Sequence, residues 1–182
     1  MSAPDPAISI RPATQADVAW LASCLIAVAR SVRDRAGSAY NSYLPDAVTP
    51  REFEYVLGFL AAEKRLALVA ELAPETSGSA DRRIGCLLAE IAPSATPSLH
   101  ADPTGTIAAC WVAPEFRRQG VARALVEQAE AWFRRQGVRF AELSYGADSE
   151  TAGAAWAAQG YAPFRVLAVK DLNPQSNPDP AL

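Results

Sequence analysis

Hydrophobic and polar positions along this chain change their period several times, and each change marks an element. Ile8-Ser9-Ile10-Arg11 alternates and is closed by Pro12, which predicts a short strand. Thr14 stands where a helix N-cap belongs, with Asp17 three residues later to face the unpaired amides. Val18, Leu21, Leu25, Val28 and Val32 then recur at helical spacing. A loop from Ala36 to Pro45 separates this helix from a second one. That second helix opens with the capping box Thr49-Pro50-Arg51-Glu52, and Phe53, Val56, Leu57 and Leu60 give it an apolar stripe.

Leu66 to Leu72 reads as a strand, and Pro74 to Asp81 as the hairpin loop after it. Ile84 to Ile91 is almost continuously apolar, as a strand covered on both faces should be. After a proline-rich loop from Pro93 to Gly105, Thr106 to Val112 forms the next strand, ending at Pro114. The most clearly amphipathic helix runs from about Gly120 to Gln136 and stops at Gly137. Val121, Leu125, Ala129 and Trp132 mark its apolar face, and Arg123, Glu127, Glu130 and Arg134 the opposite one. Phe140 to Tyr145 is a strand, Ser149 to Ala158 a short alanine-rich helix, and Tyr161 to Asp171 a final strand. The order of elements predicts an α/β fold. Its mixed central sheet combines an antiparallel meander with a parallel strand pair, flanked by helices on both faces. Residues 1–172 are expected to form one domain, and the polar, proline-rich tail 173–182 to be disordered.

Composition narrows the function classes. In 182 residues, half are hydrophobic and a fifth charged, as in an ordinary globular domain. The formal charge of −3 gives no general reason to expect nucleic acid as a partner. Apolar runs break off well before the ~20 residues of a membrane span. The start MSAPDPAIS lacks the basic and apolar parts of a signal peptide, so a cytoplasmic location is expected. Cys24, Cys86 and Cys110 are an odd number without a CxxC pair. They read as small buried hydrophobes, not as a disulfide framework or a zinc site. A single histidine, His100, excludes any two-histidine metal motif.

Chemistry concentrates between Cys110 and Arg123, where a strand ends, a proline breaks it, and a glycine-containing turn opens the long helix. The turn carries Arg117-x-x-Gly120-x-Ala122. Amides exposed at a helix start, aided by the helix dipole, bind phosphate oxygens without a particular side chain. Gly120 allows close approach of a diphosphate, Ala122 keeps the helix surface small, and Arg117 and Arg118 can add charge-assisted contacts. Read alone, the string is also compatible with a plain strand-to-helix turn bearing two solvated arginines. No Gly-Lys-Ser/Thr follows, and the three spaced glycines of the dinucleotide fingerprint are missing.

The turn resembles the Q/R-x-x-G-x-G/A signature of the GCN5-related N-acetyltransferase (GNAT) superfamily, here Arg117, Arg118, Gln119, Gly120, Val121, Ala122. The lead-in Val112-Ala113-Pro114-Glu115-Phe116 and the amino-terminal IRPATQAD are similar to that family too. So is Trp156-Ala157-Ala158-Gln159-Gly160-Tyr161, in the place of its Tyr-Glu-Lys-x-Gly-Phe pattern. The likeness spans residues 8 to 171. It implies that acetyl-CoA lies in a gap between the Cys110–Val112 strand and the Phe140–Tyr145 strand, with Cys110, Trp111 and Val112 along the pantetheine. Arg117 to Arg123 would lie at the diphosphate, with Ser149 and Trp156 on the short helix. A bulge in the first strand would leave an amide near Val112 free for the thioester carbonyl. The amine would attack the thioester directly in a ternary complex.

Two proton transfers then need residues. A lysine-like amine has a pKa near ~10.4, so deprotonating it at neutral pH costs roughly 4 kcal/mol and a base helps. Glu90 is the first candidate. Alternation puts it on one face with Ile84, Cys86 and Leu88, surroundings that would raise its pKa; it could equally mark a solvated strand end. His100 and Asp102 lie on the next loop. The tyrosine that many relatives use as acid is here Trp156, which cannot donate as an acid, and the asparagine seven residues earlier is Ser149; Tyr145 or water is left as the alternative donor. Tyr40, Asn41, Tyr43 and Trp111 are candidates for contact with the acceptor, a small-molecule or peptide amine. A non-catalytic acyl-CoA-binding module is the competing reading, and the resemblance also allows a homodimer.

Overall fold

A computed structural model describes residues 8–36, 47–73, 81–93 and 103–168. In chain order the elements are β1 (Ile8–Pro12), α1 (Val18–Ala36), α2 (Pro50–Ala61), β2 (Arg65–Leu72), β3 (Arg83–Ala92), β4 (Thr104–Val112), α3 (Val121–Arg135), β5 (Ala141–Leu143) and α4 (Glu150–Ala157). The five strands form one sheet in the order β1-β2-β3-β4-β5. The first four are antiparallel neighbours, and β5 runs parallel to β4. This is the mixed sheet that the order of elements predicts.

Both faces of the sheet are covered. On one, α1 and α2 bury Leu21, Cys24, Val56 and Phe59 against Val69, Cys86, Leu88 and Ala109. On the other, α3 lays Val121, Leu125, Ala129 and Phe133 over Leu68, Leu87, Ala89 and Ile107. The spacing of four selects Phe133 for this stripe, and Trp132, assigned to it from sequence, is only partly buried at its margin. In α2 the same correction applies: Phe59 is buried, whereas Leu57 is 41% exposed.

The caps form as the sequence predicts. Thr14 with Asp17, and Thr49 with Glu52, make reciprocal capping boxes. Asp17 is 2% exposed and holds Arg11 through two hydrogen bonds, of 2.7 and 2.9 Å. At the other end of the chain, Gly160 adopts φ +88° and closes α4, with the Tyr161 amide donating to the Trp156 carbonyl at 3.1 Å.

Two strands differ from expectation. β5 covers Ala141–Leu143 instead of Phe140–Tyr145, because the chain leaves β4 after Leu143. Of the strand expected from Tyr161 to Asp171, the described part to Ala168 forms no strand: it is exposed from Ala162 onward and interrupted by Pro163, which has no amide to donate. The loops holding Tyr40, Asn41, Tyr43, His100 and Asp102, and the tail 173–182, lie outside the described residues. Among the described residues no helix is long and apolar enough to cross a membrane.

Candidate active site

The site is built where β4 and β5 part. They pair only over Gly105–Ile107 and Ala141–Leu143, while β4 continues to Val112 alongside β3. From Ala108 to Val112 the outer edge of β4 has no strand partner among the described residues. An extended ligand can use such an edge as an added strand does. The parting coincides with a bulge. Across from β4, Leu88 faces Ala109 and Ala89 faces Ile107, so Ala108 is the extra residue. Its effect is visible in the packing: Ile107 and Ala109, two apart, bury their side chains on opposite faces of the sheet. The bulge therefore falls at Ala108, four residues before the Val112 position inferred from sequence.

Beyond β4 the chain makes the turn read as a phosphate cradle. The Ala113 amide donates to the Ile84 carbonyl at 2.9 Å, holding the strand end in the sheet. Pro114–Phe116 is a single 3-10 turn, and Arg118 and Gly120 take left-handed φ of 62° and 81°. Left-handed backbone costs an L-residue ~1–2 kcal/mol and glycine almost nothing, which explains Gly120 and marks Arg118 as strained. Nothing lies within 4 Å of a Cβ placed on Gly120. Ala124 is the first residue of α3 whose amide bonds a carbonyl on this turn, that of Gly120 at 2.9 Å. The amides before it are those a helix start leaves for a ligand.

The side chains sort themselves around this turn. Arg117 Nε donates to the Val112 carbonyl at 3.1 Å, and Gln119 Nε2 to the Glu115 carbonyl at 2.8 Å, so both brace the loop. Arg118 is exposed. Arg123 Nε bonds Glu127 one turn on at 2.8 Å along the solvated face of α3. Val121 is buried, and Ala122 packs at the edge of the core. The turn thus leaves open space at Gly120, and beside it the exposed Arg118 has no ion-pair partner among the described residues.

The other candidates separate into two groups. Cys110 and Val112 pack toward α3. Burial pushes the Cys110 thiol up to about 12, and Cys86 is raised by its contact with Cys24 and then by burial, so these thiols are packing groups. Trp111 turns to the opposite face, edge-on to Trp20 with centroids 6.0 Å apart, and Arg83 stacks on Trp20 at 5.0 Å. The Trp111 side chain thus packs on the α1 face of the sheet.

On that same face Glu90 shares its side with Cys86 and Leu88, as the alternation requires. Ile84 lies on the other face, because it is the extra residue of a second bulge, opposite Ala70 and Glu71. Glu90 is not an isolated carboxyl: Arg65 Nε donates to it at 3.0 Å, and its side chain is 30% exposed. The Tyr55 hydroxyl stands in its field. Burial, and then the Glu90 charge, push that phenol up. Sequence reasoning missed Tyr55 and Arg65, since their proximity to Glu90 depends on how α2 crosses β2 and β3.

Tyr145 follows β5 on the far side of the gap and lies against α4, its hydroxyl 3.6 Å from a Cβ placed on Gly153. Ser149 is buried as the N-cap of α4, its hydroxyl accepting from the Ala152 amide at 3.3 Å. Trp156 packs edge-on against Tyr161, with centroids 5.7 Å apart. Tyr145, Ser149 and Trp156 thus lie on or against α4, whereas Cys110 and Val112 stand on β4 and pack toward α3. Glu90 sits one strand further in.

Comparison with known proteins agrees with this architecture. A search of curated protein sequences gives no match. Among solved structures, the chain is similar to the aminoglycoside 6'-N-acetyltransferase AAC(6')-Ih of Acinetobacter baumannii, with a TM-score of 0.65 and 21% identity over 91% of this chain and 98% of that one. It is similar to a GCN5-related N-acetyltransferase of Ralstonia eutropha JMP134 with a TM-score of 0.66 and 20% identity, covering 91% and 99% of the two chains. A third similar structure, AAC(6')-Iy in complex with a CoA-S-monomethyl-acetylneamine bisubstrate analogue, has a TM-score of 0.64 and 17% identity over 91% and 98%. At such identities these likenesses speak for the fold. The sequence model described as "Acetyltransferase (GNAT) family" matches residues 27–161, most of the chain, and the chain belongs to that family.

Proposed function

We propose that the protein transfers the acetyl group of acetyl-CoA to an amine of a small molecule or peptide, in one ternary complex and without a covalent enzyme intermediate. The observation that supports this best is the pairing of two features: the amide-rich turn at Gly120 and the open edge of β4 beyond Ala108. The first suits a diphosphate, the second a pantetheine arm. AAC(6')-Iy, bound to a CoA-linked acetylneamine, shows that a related fold can hold coenzyme A and an amine together.

In this reading the amine nitrogen attacks the thioester carbonyl carbon, the carbonyl oxygen gains charge, and the C–S bond then breaks to release coenzyme A thiolate. The bulge at Ala108 frees a β4 amide to bond that oxygen, so the oxyanion donor moves from Val112 to the Ala108–Ala109 region. Glu90 accepts the proton of the ammonium, through a water where needed, with Arg65 fixing its carboxylate and Tyr55 beside it. The Tyr145 hydroxyl is the donor on the thiolate side; thiols have a pKa near ~8.5, so the thiolate needs little help. The competing reading, a module that binds acyl-CoA without turning it over, draws on Trp156, an indole packed on Tyr161 where an acid would stand.

Calorimetric titration of acetyl-CoA into the wild type and into Gly120→Glu tests the site. Micromolar binding that vanishes in the variant is the expected result, since the carboxylate fills the space meant for the diphosphate. A folded wild type that fails to bind removes the acyltransferase reading. Turnover with a panel of amines separates the enzyme from the binding module. In Glu90→Gln, kcat should fall by roughly 10²–10⁴ while acetyl-CoA binding is kept.

A further inference from the structure

Gly58 stands inside α2, where glycine weakens a helix relative to alanine. Its backbone is not in the left-handed region that glycine alone enters freely, so conformation gives no reason for it. Space does. A Cβ built on Gly58 would come 3.3 Å from Nη1 of Arg65, tighter than such atoms ordinarily pack. Arg65 is the first residue of β2, and its side chain lies against α2 at the place where that helix has no side chain of its own.

Three contacts hold that guanidinium. Its Cζ lies 4.9 Å from the centre of the Phe59 ring, which is 1% exposed in the core. Its Nη1 rests against Gly58, and its Nε donates to Glu90 Oε2 at 3.0 Å. No other hydrogen bond from the described residues reaches the Glu90 carboxylate, so Oε2 is held and Oε1 is left. Tyr55, Gly58 and Phe59 share one face of α2 by their spacing of three and four, and the Tyr55 phenol feels the Glu90 charge. One helix face thus stands over the carboxylate and its arginine.

We propose that Gly58 is a positioning residue for acetyl transfer: its missing side chain lets Arg65 hold Glu90 by Oε2 and leaves Oε1 to take the proton of the amine. This rests on the reading of Glu90 as the base. Gly58 acts on Glu90 only through Arg65. A methyl group at this position must push the guanidinium aside by a few tenths of an ångström. The end of a long side chain yields to that at little cost to the fold, and the helix gains an alanine. Proton transfer at Glu90 is far less tolerant, because a small misplacement of a reacting group costs rate steeply.

Gly58→Ala in the full chain tests this, with an amine that the wild type turns over. Its kcat should fall roughly three- to tenfold, while acetyl-CoA affinity by calorimetry is kept and the melting temperature does not drop. The route is decided in a second background: once Arg65→Ala is present, Gly58→Ala should lower kcat no further. An equal loss in both backgrounds overturns the proposal, and so does a wild-type kcat in Gly58→Ala. Glu90→Gln separates the proposal from its premise. Wild-type turnover there removes the base reading, and the role of Gly58 falls with it; a slow Glu90→Gln beside an unaffected Gly58→Ala overturns the positioning alone. A crystal structure of Gly58→Ala decides the matter without turnover. The bond from Arg65 Nε to Glu90 Oε2 should be broken in it, and a bond still at 3.0 Å counts against the proposal.

Discussion

Arg117 turns back on the strand that precedes it: its Nε donates to the Val112 carbonyl oxygen at 3.1 Å. A residue of the glycine turn thus fixes the end of β4, and, in the proposed function, the distance between the turn that would hold the diphosphate and the open strand edge. Arg117→Ala removes a bond worth about 1 kcal/mol to the fold and loosens the cradle. Acetyl-CoA affinity should fall roughly tenfold, read by calorimetry. Arg117→Lys should not restore it, since lysine has no Nε–H set back from its charged end. Unchanged affinity in both variants would show that the turn holds its shape without this bond.

Arg118 sits one residue on, at a left-handed φ of 62°. An L-residue there stores ~1–2 kcal/mol of backbone strain, of which glycine gives back part after its own entropy cost. Arg118→Gly should raise the melting temperature by about 1–3 °C for a chain of this size. It should also weaken acetyl-CoA binding, because a cation leaves the phosphate side of the turn. Stability and affinity moving in opposite directions is the signature to look for. A drop in both would mean that the arginine side chain, and not its charge, supports the loop.

Gly105 supports the point where β4 and β5 meet. Its amide donates to the Phe140 carbonyl at 3.0 Å, and a Cβ added there would stand 2.6 Å from the Phe133 ring. Phe133 is 2% exposed and packed in the core. Gly105→Ala should therefore cost about 1–3 kcal/mol, measured by denaturant unfolding. Phe133→Leu in the same chain should return part of that loss, so the two changes together cost less than their sum. Strict additivity would argue that the ring is not the obstacle.

How much of this could be read from the chain depends on the range of the interactions. Local signals worked: the capping boxes at Thr14 and Thr49, the stop at Gly137, and the turn at Gly120 all lie within a few residues of what they control. Period-based readings held until a bulge intervened. Ile84 leaves the face of Glu90, and Ile107 and Ala109 lie on opposite faces, because one extra residue reverses every side chain beyond it. The face of Trp111 follows from the register of β4 and its contact with Trp20 of α1, which no local signal shows. Arg65 and Tyr55 beside Glu90 were out of reach, since only the packing of α2 on the sheet brings them there.

The buried pair of Arg11 and Asp17 ties the first strand to the first helix, and its pH dependence can be worked out from its direction. Arg11 bonds Asp17 through both oxygens, Thr14 adds its amide and hydroxyl at 2.8 and 3.0 Å, and Arg83 approaches to 3.5 Å. The Arg11 guanidinium, foremost, holds the Asp17 carboxyl well below the usual carboxylate range, against the opposing effect of burial. A group depressed in the folded state stabilises it wherever the unfolded chain would already be ionised, above its ordinary value of ~3.9. That contribution is complete at neutral pH and is lost as the pH falls below about 4 toward the folded value. Asp17→Asn should cost roughly 2–3 kcal/mol at pH 7, less than a fully buried pair because Arg11 keeps access to water. Urea unfolding at pH 7, 5 and 3 should show the wild type approaching the variant as acid is added. A gap that stays constant down to pH 3 would assign the effect to the lost cap of α1 instead of the charge.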